Sequence, residues 1–533
     1  MNLPPIVHLH THSTASSLTS IDGMIIAEEY VEHAKSTGAN AIAITDHGNI
    51  FYHPTFYEAC RKAGVKPILG NEMYCVSDVT KQKEQELGRG KSNHITIIAR
   101  NKVGWTNLVK LTSLSNSSGF YYHEPRIDIP TLEAHKEGLI ILSGCPKGLI
   151  NKRWLDGHHN EAEQMAELLV SMFGDSFFFE VQDVGIRREE LDQAKLNNYV
   201  RNLAKHFDRP TVFTVDAHFA KPSDHLAHQY LLGINMAKHI EDVRSGSYGG
   251  SENYWLRTTE ECLQFDCLPR EIEMTQEIAE MVESYEIGFG GKNLPTLDLP
   301  SGKTAMQMLR EKTWEGWKLY QIEGKHNKQE YVDRMKRELA DIEQAGMAEY
   351  FLIIEDIIKW AKGAGIMVGY GRGSAGGSLT LYLLGITGRN LDPIKWGLVW
   401  ERFYNIGRSD SFPDVDLDIE KERREEVIKY VGERYGKDRV SQLITFGKMT
   451  ARSVLKNVMR TYGMAFNEAN AITALIPEKD DDHSTNVKIA DAIERTPRLA
   501  EYAAKYEDVF NIASRLEGRW VSYGKHAAAV IIN

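Results

Sequence analysis

At 533 residues, with about 150 residues per domain as a guide, the chain has room for three or four domains. Its 42% hydrophobic and 26% charged residues match ordinary globular proteins and exclude a disordered, collagenous or disulfide-scaffold chain. The net charge of -11 excludes a protein that coats nucleic acid by bulk charge, although an acidic total is compatible with a local basic groove.

No apolar run reaches the roughly 18 residues of a membrane span. The start, MNLPPIVHLH, lacks the basic and long apolar segments of a signal peptide, so a cytoplasmic protein with no membrane partner is expected. Five scattered cysteines (Cys60, Cys75, Cys145, Cys262, Cys267), without a C-x-x-C pair, argue for reduced thiols and against a zinc ribbon.

In chain order, seven β-rich runs come first: IVHLH, AIAIT, KPILGNEMY, HITIIA, LIILSG, FFFEVQ and TVFTVD. Amphipathic patterns such as IIAEEYVEHAKSTG and EAEQMAELLVSMFG separate several of them, which predicts βα units and a mostly parallel sheet that closes or nearly closes a barrel. The Gly-rich stretches GSYGG and GFGGKNLPTLDLPSG mark a domain boundary. Helical patterns follow over roughly 303–322 and 328–363, then a short strand into GYGRGSAGGS, an apolar helix and the acidic run FPDVDLDIE. Residues 421–461 hold eleven Lys or Arg against five Asp or Glu.

A strand's period of two puts His8, His10 and His12 of HLHTH on one face. Other runs end in Asp46 and His47, Glu72, Cys145, and Asp216 and His218, and barrels of βα units carry their chemistry at the C-terminal ends of strands. Imidazole, carboxylate and thiolate are the donors that borderline metals take. His94 fits this pattern poorly, because it opens its strand instead of closing it.

HLHTHS, TDHGN, GNE, HITIIARN, SGCPKG and VDAH, in this order, resemble the motifs of the PHP domain, the polymerase and histidinol phosphatase superfamily. The resemblance implies a distorted seven-stranded βα barrel around three metal ions, with His10, His12, Asp22, His47, Glu72, His94, Cys145, Asp216 and His218 as ligands. Asp22 lies in a segment, STASSLTSIDG, a few residues longer than the family's usual one. The donor mix suits Zn²⁺ or Mn²⁺. Since each ligand position carries a competent residue, the resemblance implies an active 3′-to-5′ exonuclease.

Gly371-Arg372-Gly373-Ser374-Ala375-Gly376 has the form G-x-G-x-x-G, but Asp392 follows no strand, so a Rossmann unit is excluded. What remains is a small-residue loop offering backbone N–H groups to phosphate at a helix N-terminus, with Arg372 and Ser374 as further donors. SGKTAM lacks the upstream glycine of a P-loop and reads as a helix start. In PDVDLD, Asp414, Asp416 and Asp418 would share one strand face at about 6.6 Å intervals, a costly arrangement unless cations sit there.

EYFLIIEDIIKWAK, GYGRGSAGGSL, LDP, ERFYN, PDVDLD, VSQLITFGKMTARSV and GKHAAAVII resemble the C-family of bacterial replicative DNA polymerases, the DNA polymerase III alpha subunits. This implies an α/β multidomain chain: 1–285 as the PHP phosphoesterase and exonuclease domain, 286–430 as the first part of a palm of mixed sheet and helices, 431–510 as a helical thumb, and 511–533 as a truncated palm return. It further implies that Asp414 and Asp416 hold Mg²⁺ for nucleotidyl transfer and that Arg372, Gly373 and Ser374 bind the incoming triphosphate. Lys448, Arg452 and Lys456, three to four apart, would share a helix face that grips DNA phosphates. His526-Ala527-Ala528-Ala529-Val530 departs from the family's H-A-G-G-V, where glycine allows close backbone approach.

The implied partners are primer-template DNA, deoxynucleoside triphosphates, a second polypeptide carrying the remaining palm aspartate and the fingers, and a sliding clamp reached through that part. Two other readings stay open: a PHP phosphoesterase acting on a small phosphate ester, and a non-catalytic DNA-binding subunit.

Overall fold

The computed structural model describes all residues except 1–2, 21, 84–90, 246–250, 289–293, 296, 301, 406–411, 478–486 and 533. The GSYGG boundary and part of 288–302 therefore lie outside the described residues. The chain forms two compact units, one of residues 1–287 and 446–523, the other of 288–445 and 524–533. Residues 431–445, expected in the thumb, thus belong to the second unit, and 511–523, expected as palm return, to the first. No described helix is long and apolar enough to cross a membrane.

The first unit is built on β1 (Ala41–Ile44), β2 (Lys66–Val76), β3 (Asn93–Ala99), β4 (Arg126–Asp128), β5 (Leu139–Leu142), β6 (Phe177–Gln182) and β7 (Thr211–Thr214). The sheet order is β1-β2-β3-β5-β6-β7, with β4 added to β2. Pairing is parallel except around β3, which runs antiparallel to both β2 and β5. β4 carried no sequence signal that distinguished it from a loop.

IVHLH is not a ladder strand. It is an extended segment that joins the two edges of the sheet, bonded to β1 through Ala43 N to His8 O (2.8 Å) and Thr45 N to Thr11 O (3.0 Å). Beyond β7 it is bonded through His12 N to Ala217 O (2.8 Å) and Ala217 N to His10 O (3.2 Å). Donors two residues apart, Ala43 on β1 and Thr45 just past its end, thus meet acceptors three apart on the segment. That extra residue, as in a bulge, breaks the period of two between His8 and His10.

Strand residues are buried on both faces, as a barrel wrapped in helices requires. Val7, Leu9, Ala41, Ala43, Ile68, Ile98, Ile140, Leu142, Phe178 and Val212 form one cluster with Met274 and Ile278 of the helix Pro269–Met281. Val7 N bonds Thr275 Oγ1 (3.0 Å) and Lys66 Nζ bonds the Ala279 carbonyl (2.7 Å), so this helix plugs the end where the strands begin. The end where they finish carries the buried polar side chains His10, His12, His47, Glu72 and His94.

Residues 446–523 dock on the barrel through the helices Ala451–Tyr462 and Glu507–Leu516, whose apolar faces pack with Tyr230, Leu231 and Ile234 of the helix His225–Met236. Arg515 pairs with Asp224 (2.5 Å) and Glu29, Arg519 with Glu29 (2.9 Å), and Trp520 N bonds Thr14 Oγ1 (2.7 Å).

In the second unit, SGKTAM is a helix start, with Thr304 capping Ala305–Leu319 in a reciprocal box with Gln307. The pattern over 328–363 is two helices, Lys328–Ala345 and Ala348–Gly363, separated by Gly346 in the left-handed conformation (φ 64°). Of the mixed sheet expected for a palm, the described residues show the bridge Val368–Ile419 and a ribbon of β8 (Val440–Lys448) and β9 (Trp520–Ile532), strands whose residues are divided between the two units. On β9 Ala527 and Ala528 lie exposed and Ala529 is half-buried.

Candidate functional site

All nine residues implied as ligands in the first unit converge at the strand ends. Glu72 on β2 is the hub: its Oε1 lies 2.9 Å from His94 Nδ1 and 3.5 Å from His10 Nε2, its Oε2 2.7 Å from His47 Nδ1 and 3.6 Å from His12 Nε2. Asp216 Oδ1 is 2.9 Å from His12 Nε2 and 3.4 Å from His10 Nε2. Asp22 stands between His47 (3.6 Å) and His218 (3.5 Å), so the longer segment before it still delivers the carboxylate. Cys145 Sγ is 3.5 Å from His94 Nδ1.

His94 is in place because β3 is antiparallel, so its beginning lies beside the ends of the parallel strands. His8 is not part of the cluster. Beyond the bulge its ring bonds the Arg257 carbonyl (2.9 Å) and packs against His33 at 5.0 Å. Asp46 also turns away, accepting from Ser13 N and Oγ, both at 2.6 Å, and its burial raises its pKa to about 7.

Among the described residues, three groups have the compactness of a metal site: His12, His47 and His218; His10, His12 and Glu72; and His47, Glu72 and His94. Buried His10 Nε2, Asp22 Oδ1 and Glu72 Oε2 make no hydrogen bond of good geometry. Unsatisfied buried polar atoms are costly, and bound cations would satisfy these. The electrostatics agree. Burial works against charge on Glu72, but His94, His47 and His10 around it hold its pKa well below the usual range. Burial, helped by His47 and His218, lowers His12 to about 3, leaving a neutral imidazole able to donate a lone pair. Asp216 holds a left-handed backbone (φ 58°), a strain tolerated by Asp and found where function positions a side chain.

Sequence reasoning missed Glu180. Fully buried in FFFEVQ, it accepts from His10 Nδ1 (2.6 Å), Thr214 Oγ1 (2.5 Å), Gln182 Nε2 (2.9 Å) and Gly144 N (3.0 Å). A carboxylate behind an imidazole orients the ring and raises its basicity. A charged residue inside an otherwise apolar strand was the available signal. Glu180→Gln is expected to weaken metal affinity about 10- to 100-fold, read by competition with a chelating dye, without displacing His10.

In the second unit, the glycine loop lies against PDVDLD. Gly369 N bonds Asp418 O (2.8 Å) and Glu420 N bonds Met367 O (3.0 Å). The acidic run is extended but not a ladder strand; even so, Asp414, Asp416 and Asp418 are exposed while Val415 and Leu417 pack inward. A Cβ on Gly373 (φ 61°) would stand 3.1 Å from Asp416 Oδ2, so glycine lets loop and carboxylate approach. Arg372 Nη1 is 3.7 Å from Asp418 Oδ1. Gly371 to Gly373 are exposed and Ser374 is half-buried.

The helix Leu379–Leu383 after this loop does not offer its N-terminus to a phosphate. Buried Glu338 already occupies it, accepting from Ser378 Oγ (3.0 Å), Leu379 N (2.9 Å), Thr380 N (2.8 Å) and Thr380 Oγ1 (2.9 Å), with Arg334 Nε beside it (2.7 Å). An anion at the loop must therefore be met by residues 371–374. Asp392 is structural: it accepts from Lys325 Nζ (2.5 Å) and Tyr331 OH (2.6 Å) and turns the backbone at Ile394 and Lys395, in keeping with the exclusion of a dinucleotide fold.

The basic trio does not share one helix face. Lys448 ends β8, ahead of the cap Thr450; Arg452 Nη2 donates to the Ile476 carbonyl (2.5 Å); Lys456 Nζ stands 4.8 Å over the Phe466 ring. Arg452→Ala is therefore expected to lower stability by about 1–3 kcal/mol in denaturant unfolding, because it leaves a carbonyl unpaired.

Two family models match the chain: the PHP domain over residues 8–184, and the bacterial DNA polymerase III alpha NTPase domain over 307–533. The DNA polymerase III subunit alpha of Aquifex aeolicus (strain VF5) is 34% identical over 566 aligned residues, covering 99% of this chain and 47% of that protein. That of Borreliella burgdorferi is 36% identical over 532 residues, covering 99% and 45%. The chain spans about half the length of the curated relatives it matches.

Proposed function

Because this chain belongs to the bacterial DNA polymerase III alpha-subunit family, we propose that it acts as the N-terminal part of a replicative DNA polymerase and carries a metal-dependent 3′-to-5′ exonuclease in its barrel. The observation that supports the exonuclease is the convergence of His10, His12, His47, Glu72, His94 and His218 into three compact groups of metal-ligand donor type at the strand ends, with buried atoms left unsatisfied.

His10, His12, Asp22, His47, Glu72, His94, Cys145, Asp216 and His218 would hold two or three divalent ions, Zn²⁺ or Mn²⁺ by donor type. Bound there, such ions supply Lewis acidity to a phosphodiester and make water a better nucleophile near neutral pH. The protein's part is orientation: Glu180 fixes the His10 ring, Ser16 the His12 ring (3.0 Å), and the Asp216 carbonyl the His218 ring (2.7 Å). In the reaction, water adds to phosphorus and the bond from phosphorus to the 3′ oxygen breaks, releasing a nucleoside 5′-monophosphate and leaving a new 3′ hydroxyl.

In the second unit, Asp414 and Asp416 are exposed and make no ion pair among the described residues, which leaves both carboxylates free for Mg²⁺. Arg372, Gly373 and Ser374 would meet the triphosphate, with residues 288–445 and 524–533 as palm and the helices of 446–523 as thumb. Primer-template DNA and deoxynucleoside triphosphates are the substrates of this reading, and a sliding clamp its partner. Lys448, at the end of β8, is the exposed cation of the trio, so Lys448→Ala should flatten the dependence of duplex affinity on log salt by about 0.9 units. An unchanged slope would place the duplex elsewhere. The test of the whole assignment is metal content together with hydrolysis of a DNA 3′ end: a purified chain that takes up no divalent metal would remove it.

A further inference from the structure

The metal cluster accounts for one phosphodiester, the one to be cut. A DNA strand brings further phosphates to the mouth of the barrel, and these need donors outside the cluster.

Two cations stand at that mouth. Lys147 lies two residues past Cys145, in a turn locked beside His94. The Lys147 carbonyl accepts from His94 N (2.9 Å) and Asn93 Nδ2 (3.3 Å), and Gly148 N bonds the Cys145 carbonyl (2.7 Å). Its side chain is exposed. Arg188 is exposed in the loop after β6, within the turn closed by the Arg187–Asp192 bridge. Asn253 Nδ2 donates to the Val184 carbonyl (3.0 Å), which ties this loop to the segment of Tyr254, whose ring meets the His218 ring edge-on at 5.2 Å. The two cations thus flank the cluster, one on the side of His94 and the other on the side of His218.

Neighbouring cations are committed to the fold. Arg187 is held by both oxygens of Asp183, at 2.8 and 2.6 Å, and Lys152 pairs with Asp156. By contrast, the Lys147 and Arg188 side chains make no ion pair or hydrogen bond among the described residues. Such cations carry no structural duty and pay no penalty for release when a phosphate arrives.

We propose that Lys147 and Arg188 hold the phosphates on the 5′ side of the scissile bond, which makes the metal centre selective for the 3′ end of a DNA strand over a small phosphate ester. The inference rests on the exonuclease reading above and adds the residues that choose its substrate.

The test uses the Mn²⁺-loaded chain on two substrates: a 5′-labelled single-stranded oligodeoxynucleotide, and the 4-nitrophenyl ester of thymidine 5′-monophosphate, a diester without further phosphates. In K147A/R188A the ratio of kcat/KM between them should fall about 30-fold, through KM for the oligonucleotide. The slope of log kcat/KM against log salt should flatten by about 1.4 units, at roughly 0.7 per single-strand contact. Lys147→Arg alone should retain most of the ratio. Equal losses on both substrates, or an unchanged ratio, would overturn the proposal. A binding arm, with Ca²⁺ replacing Mn²⁺ and a fluorescent oligonucleotide followed by anisotropy, does not depend on turnover. There K147A/R188A should bind about 10-fold more weakly. Unchanged binding overturns the specificity role, whereas weakened binding on a wild-type chain that hydrolyses neither substrate supports it and removes the exonuclease reading alone.

Discussion

Asp216→Asn is expected to reduce 3′-end hydrolysis by at least about 100-fold, while Asp414→Asn leaves that hydrolysis unchanged. Asp216 Oδ1 touches both His12 Nε2 (2.9 Å) and His10 Nε2 (3.4 Å), so it sits where two of the ligand groups meet. Asparagine tolerates the left-handed backbone of this position (φ 58°) as well as aspartate does, so the substitution removes charge without changing the chain's path. It also turns an amide toward imidazole nitrogens that need an anion or a cation-bound partner. Asp414 belongs to the other compact unit. Time courses on a labelled oligonucleotide, with circular dichroism to verify folding, decide the matter. Loss with Asp414→Asn and survival with Asp216→Asn would assign the hydrolysis to the PDVDLD carboxylates instead.

Loading with Mn²⁺ should raise the unfolding midpoint of the wild-type chain by on the order of 5–10 °C and should leave the His10→Ala/His12→Ala double variant nearly unmoved. The reason is the density of buried charge. Glu72, Asp22 and Asp216 stand together among five imidazoles at the barrel mouth, and without cations their charges can be met only by protons on those rings. A ligand at about 1,000 times its Kd that binds only the folded state contributes about 4 kcal/mol. The double variant loses members of two of the three candidate groups but none of the apolar cluster between strands and plug helix, so it should stay folded. Differential scanning fluorimetry with and without metal reads the difference, and an equal rise in both proteins would mean that the stabilising ion binds elsewhere.

Much of the site was legible because its donors lie at the ends of strongly apolar runs. The apolar, β-rich composition of AIAIT, KPILGNE and TVFTVD marks a strand, and a change to Asp, His or Glu marks its end. The same logic failed where a residue's direction depended on pairing. His94 looked misplaced until β3 proved antiparallel, and His8 looked equivalent to His10 until the extra residue against β1 turned it toward Arg257. Lys448, Arg452 and Lys456 have helical spacing, but a cap at Thr450 leaves the first outside the helix.

What the sequence by itself determined is therefore local and chemical: which segments are apolar, which residue types follow them, where a small-residue loop lies at 371–376, and the ordered motifs that carry the family resemblance. The tertiary structure decided what long-range partners impose. Glu180 became the support of His10, Glu338 took the helix start after the glycine loop, and the helix Glu507–Leu516 joined the barrel's unit through Arg515 and its pairing with Asp224. Each of these partners lies tens to hundreds of residues away along the chain. A buried carboxylate's role is set by which donors the fold brings to it, and no short-range pattern records that choice.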